Sequence, residues 1–295
     1  FLRPLRPERI HHNRIGRRTD MAGKLEGRVA IITGAGGGLG AECARVLASH
    51  GAGVAVVDIN GAAAEAVAES IRAGGGKAIG VSTDVSQEAD VKAMVETVVS
   101  HFGRIDVLHN NAAILNMEQR QKDRDVINMD VDAWDRAMAV NLRGAMLCCK
   151  HAIPEMLKLG RGSVIFATSG LGAQGDVTLS AYAASKAGLM MLAKSVAAQY
   201  GKQGVRSNAL QIGLAPAENA HETMPAALLN IIRENHLTPE LGTPRQIADV
   251  VAFLASDESS FITGTTIVAD GGFGSHTPSM VGMKALFAQS GSNKM

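Results

Sequence analysis

The chain has 295 residues, 46% of them hydrophobic, with 33 glycines and a formal charge of +1. That length supports a full core, and one α/β domain of about 250 residues is ordinary. Residues 1–20 hold six arginines against Glu8 and Asp20, so everything after them sums to about −3, and nothing there calls for nucleic acid.

Cys43, Cys148 and Cys149 make an odd count without zinc spacing, so neither a disulfide framework nor a metal site is expected. Such usage points to a reducing, cytoplasmic setting. No apolar run approaches the ~20 residues of a membrane span. Residues 1–20, with Pro4 and Pro7 and no apolar period, read as a disordered basic extension. A targeting peptide would be Arg-rich too, but also rich in Ser. Residues 21–295 read as a single domain, with an apolar tail over 273–295.

Arg28–Thr33 is a short apolar, β-branched run, the pattern of a buried parallel strand. It runs into a turn holding Gly34, Gly36, Gly37, Gly38, Leu39 and Gly40, after which Ala41–His50 has helical spacing. Strand, glycine turn and helix together form a phosphate cradle, because backbone and a helix N-terminus can approach a pyrophosphate there. Gly53–Asp58 is the second strand, and Asp58 lies 18 residues after Gly40. A carboxylate so placed can accept both adenosine ribose hydroxyls while repelling a 2′-phosphate, which favours NAD over NADP. Its alternative role is a helix cap before Asn60.

Ala62–Ala73 reads as a helix, Lys77–Ser82 as the third strand and Gln87–His101 as the next helix, which Asp84 is placed to cap. Arg104–His109 is the fourth strand, leading into Asn110, Asn111, Ala112 and Ala113. Asn116–Asp130 is polar and charge-rich, either shaping access to a site or merely solvated. Asp132–Asp135 opens a long helix in which Asn141 is polar among apolar neighbours. Ser163–Thr168 is an apolar run ending at Ser169, and Tyr182 and Lys186 follow on a helix. Four residues apart, phenol and ammonium share one face. A nearby cation favours the phenolate and lowers a pKa that is otherwise about 10. Gly204–Gln211 is the sixth strand, Ala217–His236 reads as a mobile lid, and Thr243-Pro244 starts another helix. Alternating strands and helices predict a single-domain, Rossmann-type, doubly wound parallel sheet of about seven strands.

The order of these motifs resembles the short-chain dehydrogenase/reductase family over about residues 25–272. Thr33-Gly34, Gly38 and Gly40 have its glycine spacing, although Gly36, Gly38 and Ala41 also fit a second register. The resemblance implies a cofactor site of Gly34 to Gly40, Asp58, Ile59, the adenine-bordering Asp84 and Val85, and Asn111 to Ala113. Tyr182, Lys186, Gly213 and Leu214 complete it. Ala113 replaces the usual glycine, so its backbone must avoid positive φ. Ile212 and Ala217 stand where the family has Pro and Thr, which removes one hydroxyl contact to the carboxamide.

The resemblance further implies catalysis by Asn141, Ser169, Tyr182 and Lys186, with Tyr182 as acid/base and Asn141 holding a water that links to Lys186. Function is then hydride transfer between NAD and a secondary alcohol or ketone, in a homotetramer. A 3-oxoacyl-thioester reductase, hinted at by Arg120, Lys122 and Arg124, stays open, as does a non-catalytic NAD(H) sensor or scaffold.

Overall fold

The computed structural model describes residues 23–216 and 224–289. The expected basic extension therefore lies outside the described residues, as do Ala217 and the first part of the expected lid.

Seven strands form one parallel sheet: β1 (Val29–Thr33), β2 (Gly53–Asp58), β3 (Lys77–Ser82), β4 (Val107–Asn110), β5 (Gly162–Ser169), β6 (Val205–Ile212) and β7 (Thr266–Ala269). Their order is β3-β2-β1-β4-β5-β6-β7, every neighbouring pair parallel. The apolar runs are continuous because both faces are covered. In β1, Ala30 and Ile32 join one core while Val29 and Ile31 join the other, and β2 divides the same way. Helices α1 (Gly38–Ser49) and α2 (Gly61–Ala73) cover the first face. Helices α3 (Glu88–Phe102), α6 (Gly144–Lys158) and α7 (Ser180–Tyr200) cover the second. The strand order reverses direction between β1 and β4, which opens a crevice beyond their carboxyl ends.

Asn116–Asp130 is more ordered than its composition suggests. It contains α4 (Met117–Lys122) and a 3-10 turn, Val126–Asn128, before α5 (Val131–Ala137). Asn116 caps α4 by accepting from the Gln119 amide at 2.9 Å, and Asp130 caps α5 by accepting from Ala133 at 2.9 Å. The long helix expected from Asp132 is interrupted: Met138–Arg143 winds as a π-helix with Asn141 inside it.

After β6, α8 (Ala226–Asn235) lies in the expected lid, and α9 (Pro244–Ala255) starts on a capping box with Thr243 and Gln246. The tail forms α10 (Met280–Gln289) and is tied to α8 where His276 Nε2 meets the Asn235 carbonyl at 2.7 Å. Met283 and Leu286 on α10 remain exposed. Among the described residues no helix is long and apolar enough to cross a membrane.

Candidate active site

The glycines of the turn play different parts. A Cβ on Gly34 would stand 2.8 Å from Ala112 Cα, and one on Gly40 would stand 2.3 Å from the Gly34 carbonyl oxygen. Gly40 lets α1 pack closely on the turn, and Gly34 lets the turn meet the segment after β4. Gly37 and Gly38 face open space, and the N-terminus of α1 has no side-chain cap. Unpaired amides at an unobstructed helix start are what an anionic pyrophosphate requires. Gly36 instead seats a carboxylate. Its amide donates to Asp58 Oδ2 at 2.9 Å, and a Cβ there would stand 2.9 Å from the Asp58 carboxyl carbon.

Asp58 closes β2, and its other oxygen accepts from the Asn60 amide at 2.9 Å. It is not the helix cap; Asn60 is, accepting from Ala63 at 3.1 Å. Ile59 beside it is exposed. Asp84 does not cap the next helix either. Its Oδ1 is held by the Ser86 amide and hydroxyl at 2.9 and 2.7 Å, while Gln87 occupies the cap position. Val85 is buried against α6, where a Cβ on Gly144 would meet it at 2.9 Å.

Thr33 ties the glycine turn to the turn after β4. Its Oγ1 accepts from the amides of Asn111 and Ala112, each at 3.1 Å, and Asn111 Nδ2 donates to the carbonyls of Thr33 and Gly34, each at 3.0 Å. Ala113 avoids positive φ, so the missing glycine costs no strain. Gly213 is required where it stands, because a Cβ would lie 2.5 Å from Asp270 Cα. Ile212, in place of a proline, pairs with Ala269 in the β6–β7 register.

A cavity of about 550 Å³ joins Leu39, Asn111, Ala113, Gly213 and Leu214 to Ser169, Tyr182 and Lys186. The remaining predicted cofactor residues lie outside it, along the crevice. Ser169 and Tyr182 line this cavity together, and Ser169 Oγ accepts from the Leu171 amide at 3.3 Å. Lys186 is buried, with Nζ 2.8 Å from the Ala167 carbonyl and 5.4 Å from the centre of the Tyr182 ring. Burial depresses its ammonium to about 8.

Tyr182 corrects the expectation from sequence. Burial pushes its phenol above the ordinary value, while the Ser169 hydrogen bond and the charge of Arg120 pull it down. The opposing cation is thus Arg120, from α4, rather than Lys186 one helical turn away.

Asn141 is buried and does not line the cavity. It is not bonded to its own helix. Its Oδ1 accepts from the Ile114 amide at 2.8 Å and its Nδ2 donates to Ser185 Oγ at 3.0 Å, while Ser185 Oγ donates to the Tyr182 carbonyl at 2.7 Å. Asn141 therefore fixes the turn after β4 against the helix that carries Tyr182.

Asp123 is the residue sequence reasoning missed. Fully buried, it accepts from the amides of Ala181 and Tyr182, both at 2.9 Å, and its carbonyl accepts from Leu179 at 3.0 Å. Leu179, at the start of α7, has φ of 62° and no side-chain cap. The cap arrives from 58 residues earlier in the chain. The only signal available was an aspartate in a segment too long to be a simple connection.

All three cysteines are buried free thiols; burial raises Cys43 and Cys148 to about 12 and Cys149 still further.

A family profile described as Enoyl-(Acyl carrier protein) reductase matches residues 34–274. A probable short-chain type dehydrogenase/reductase of Bradyrhizobium diazoefficiens is 41% identical, covering 87% of this chain and 90% of its own. A cis-4-hydroxycyclohexanecarboxylate dehydrogenase of Sinomonas cyclohexanicum is 37% identical, covering 83% and 96%. Among solved structures, a gluconate 5-dehydrogenase of Burkholderia cenocepacia, in complex with NADP and tartrate, superposes with a TM-score of 0.80. It is 31% identical, covering 86% of this chain and 97% of its own. The chain belongs to the short-chain dehydrogenase/reductase family, whose members are nicotinamide-dependent oxidoreductases.

Proposed function

We propose that the chain is an NAD(H)-dependent dehydrogenase that oxidises a secondary alcohol to a ketone, reversibly, in the cavity lined by Ser169, Tyr182 and Lys186. The observation that carries this reading is the convergence of Ser169, Tyr182 and the buried Lys186 on one cavity continuous with the turn after β4. The uncovered glycines and uncapped start of α1 fit a pyrophosphate, and the cofactor, when bound, supplies the hydride acceptor.

The chain's own residues do the rest. Tyr182 takes the hydroxyl proton of the alcohol, and gives it back in the reverse direction. Ser169 donates to the substrate oxygen and stabilises the charge growing on it. Lys186, held against Ala167, presents an ammonium to a ribose hydroxyl and to the phenol's surroundings. Asn141 holds the site's walls in register, and its π-helical turn is where a water linking Lys186 to solvent would sit.

Asp58 is the basis for preferring NAD. Both oxygens are fixed by backbone amides, so the carboxylate cannot swing aside from a 2′-phosphate without losing two hydrogen bonds. The Burkholderia structure holds NADP, so the preference needs its own test. Ile59, Asp84 and Val85 are taken to border the adenine. Residues 21–295 are read as one domain, assembling as a cytoplasmic homotetramer in which Met283 and Leu286 of α10 gain cover.

The alcohol reading is favoured over an acyl thioester. Lys122 is paired with Glu118 at 3.1 Å, and Arg124 does not line the cavity, so among the described residues this segment offers a phosphopantetheine arm only Arg120 there. The carboxylated alcohol named for the Sinomonas relative directs the first assays. Following NADH formation across a panel of secondary alcohols tests the proposal. Binding of NAD(H) without turnover of any alcohol or ketone would return the chain to the sensors.

A further inference from the structure

We propose that Arg120 is an anion-binding residue of the substrate cavity, so that the alcohol oxidised here carries a carboxylate remote from its reacting carbon. This rests on the reading that the cavity takes an alcohol at Tyr182.

Helix α4 holds Arg120 in place from both sides. Gln119, buried, donates to the Ala133 carbonyl of α5 at 2.6 Å, and Asp123 is locked onto the start of α7. Between these anchors Arg120 lines the cavity, with Nε donating to the Leu115 carbonyl at 3.2 Å. Among the described residues its two terminal nitrogens have no hydrogen-bond partner and no carboxylate within 4.0 Å. The competing carboxylate of this segment, Glu118, faces Lys122 and Arg136 instead.

The other charges of the wall are already matched. Lys186 donates to Ala167, and Asp270 accepts from the amides of Gly272 and Gly274 at 2.8 and 3.0 Å. Leu115, Leu171, Leu179, Ile232 and Phe273 make much of the remaining wall apolar, with Gln174, Gln211 and His236 among its polar members. One uncommitted guanidinium fork at the edge of an apolar chamber matches a planar monoanion on an apolar body. A phosphate, with its greater charge, would call for further cations, and among the described residues the wall's other cation, Lys186, is held at the Ala167 carbonyl. Arg120 and Tyr182 line the same cavity, and the guanidinium charge favours the phenolate.

The test is calorimetric binding of cyclohexanecarboxylate and cyclohexanecarboxamide. Wild type, Arg120→Met and Arg120→Lys are each titrated alone and saturated with whichever of NADH and NADPH binds more tightly. The wild type should hold the carboxylate roughly ten- to a hundredfold more tightly than the amide, the range for a charge-assisted bidentate pair. The ratio should fall to about one in Arg120→Met and lie between in Arg120→Lys, which keeps the charge but loses the fork. Because each ratio is taken within one protein, partial misfolding of a variant does not mimic the result. A wild-type ratio near one, or a ratio retained in Arg120→Met, overturns the proposal. Cyclohexanol oxidation, assayed in parallel, separates the two readings. Turnover without carboxylate preference removes the anion site alone, whereas preference without turnover of any alcohol leaves the site and removes the dehydrogenase.

Discussion

The backbone amide of Tyr182 donates to the buried carboxylate of Asp123 at 2.9 Å, so the helix carrying the acid/base is capped by the segment that carries Arg120. The first amides of a helix need acceptors, and the side chain of Leu179, which is in a left-handed conformation, supplies none. Asp123→Ala should therefore leave two buried amides unpaired and lower unfolding stability by about 2 kcal/mol. Asp123→Asn, which keeps one acceptor oxygen, should lose less. Turnover should fall more than the affinity for dinucleotide, since the cap bears on Tyr182 and not on the glycine turn. Denaturant titration with steady-state kinetics measures both; equal losses of turnover and dinucleotide affinity would count against a positioning role.

Removing the phenolic hydroxyl tests the acid/base directly. Tyr182→Phe keeps the ring and should lower kcat by about 10²–10⁴-fold, the usual contribution of general acid–base catalysis, with little change in cofactor affinity. Lys186→Met should lower both, because the ammonium is placed beside cofactor and phenol alike. Near-normal kcat in Tyr182→Phe would end the proposed mechanism.

Alcohol oxidation should rise with pH as the Tyr182 phenol ionises. Burial raises that ionisation, and Ser169 and Arg120 oppose it. Ser169→Ala and Arg120→Met each remove something that favours the phenolate, so both should move the rise to higher pH. Lys186, on the same helix, faces the phenol in all three proteins and cancels from the comparison. An unmoved profile in both variants would show that the rise belongs to another group.

Cofactor choice should depend on Gly36 as well as Asp58. Asp58→Ser removes the charge and should bring NADP(H) affinity up roughly tenfold relative to NAD(H), the scale of one partly solvated charge pair. Gly36→Ala places a methyl 2.9 Å from the Asp58 carboxyl carbon and should shift the carboxylate, narrowing the preference without removing the charge. Fluorescence titration of both dinucleotides into the three proteins provides the measurement.

His109 predicts the acid side of the stability curve. It is fully buried on β4, and desolvation lowers its imidazole from 6.5 to about 4. Above pH 6.5 folded and unfolded chains are both neutral at this residue, and stability is complete. As pH falls below 6.5 the unfolded chain takes the proton first, so stability is lost until pH passes below about 4. The loss from this one group is about 3 kcal/mol over that window, at 1.36 kcal/mol per pH unit. His109→Gln should flatten the slope there; an unchanged slope in urea titrations would exclude His109 as its source.

The sequence alone determined the parallel sheet and put forward Ser169, Tyr182 and Lys186, which line one cavity. Both follow from short-range rules: apolar runs covered on two faces, glycines at a strand–helix turn, and four-residue spacing of Tyr182 and Lys186 on one helix. Strand ends and helix starts shifted by one to a few residues, because boundaries are set by hydrogen bonds to neighbours not adjacent in the chain. What tertiary structure decided were the partners of buried polar groups. Asp123 reaches a helix 58 residues away, Asn141 bridges Ile114 and Ser185, and Gly36 makes room for Asp58. Composition in Asn116–Asp130 shows charge but not direction, so nothing in it says that Arg120 lines the cavity while Lys122 pairs with Glu118. The phenol's environment is not local either: spacing places Lys186 beside Tyr182, but only the packed cavity shows burial outweighing charge and a second cation, Arg120, acting from α4. Desolvation depends on the whole enclosing wall, and no window of sequence contains a wall.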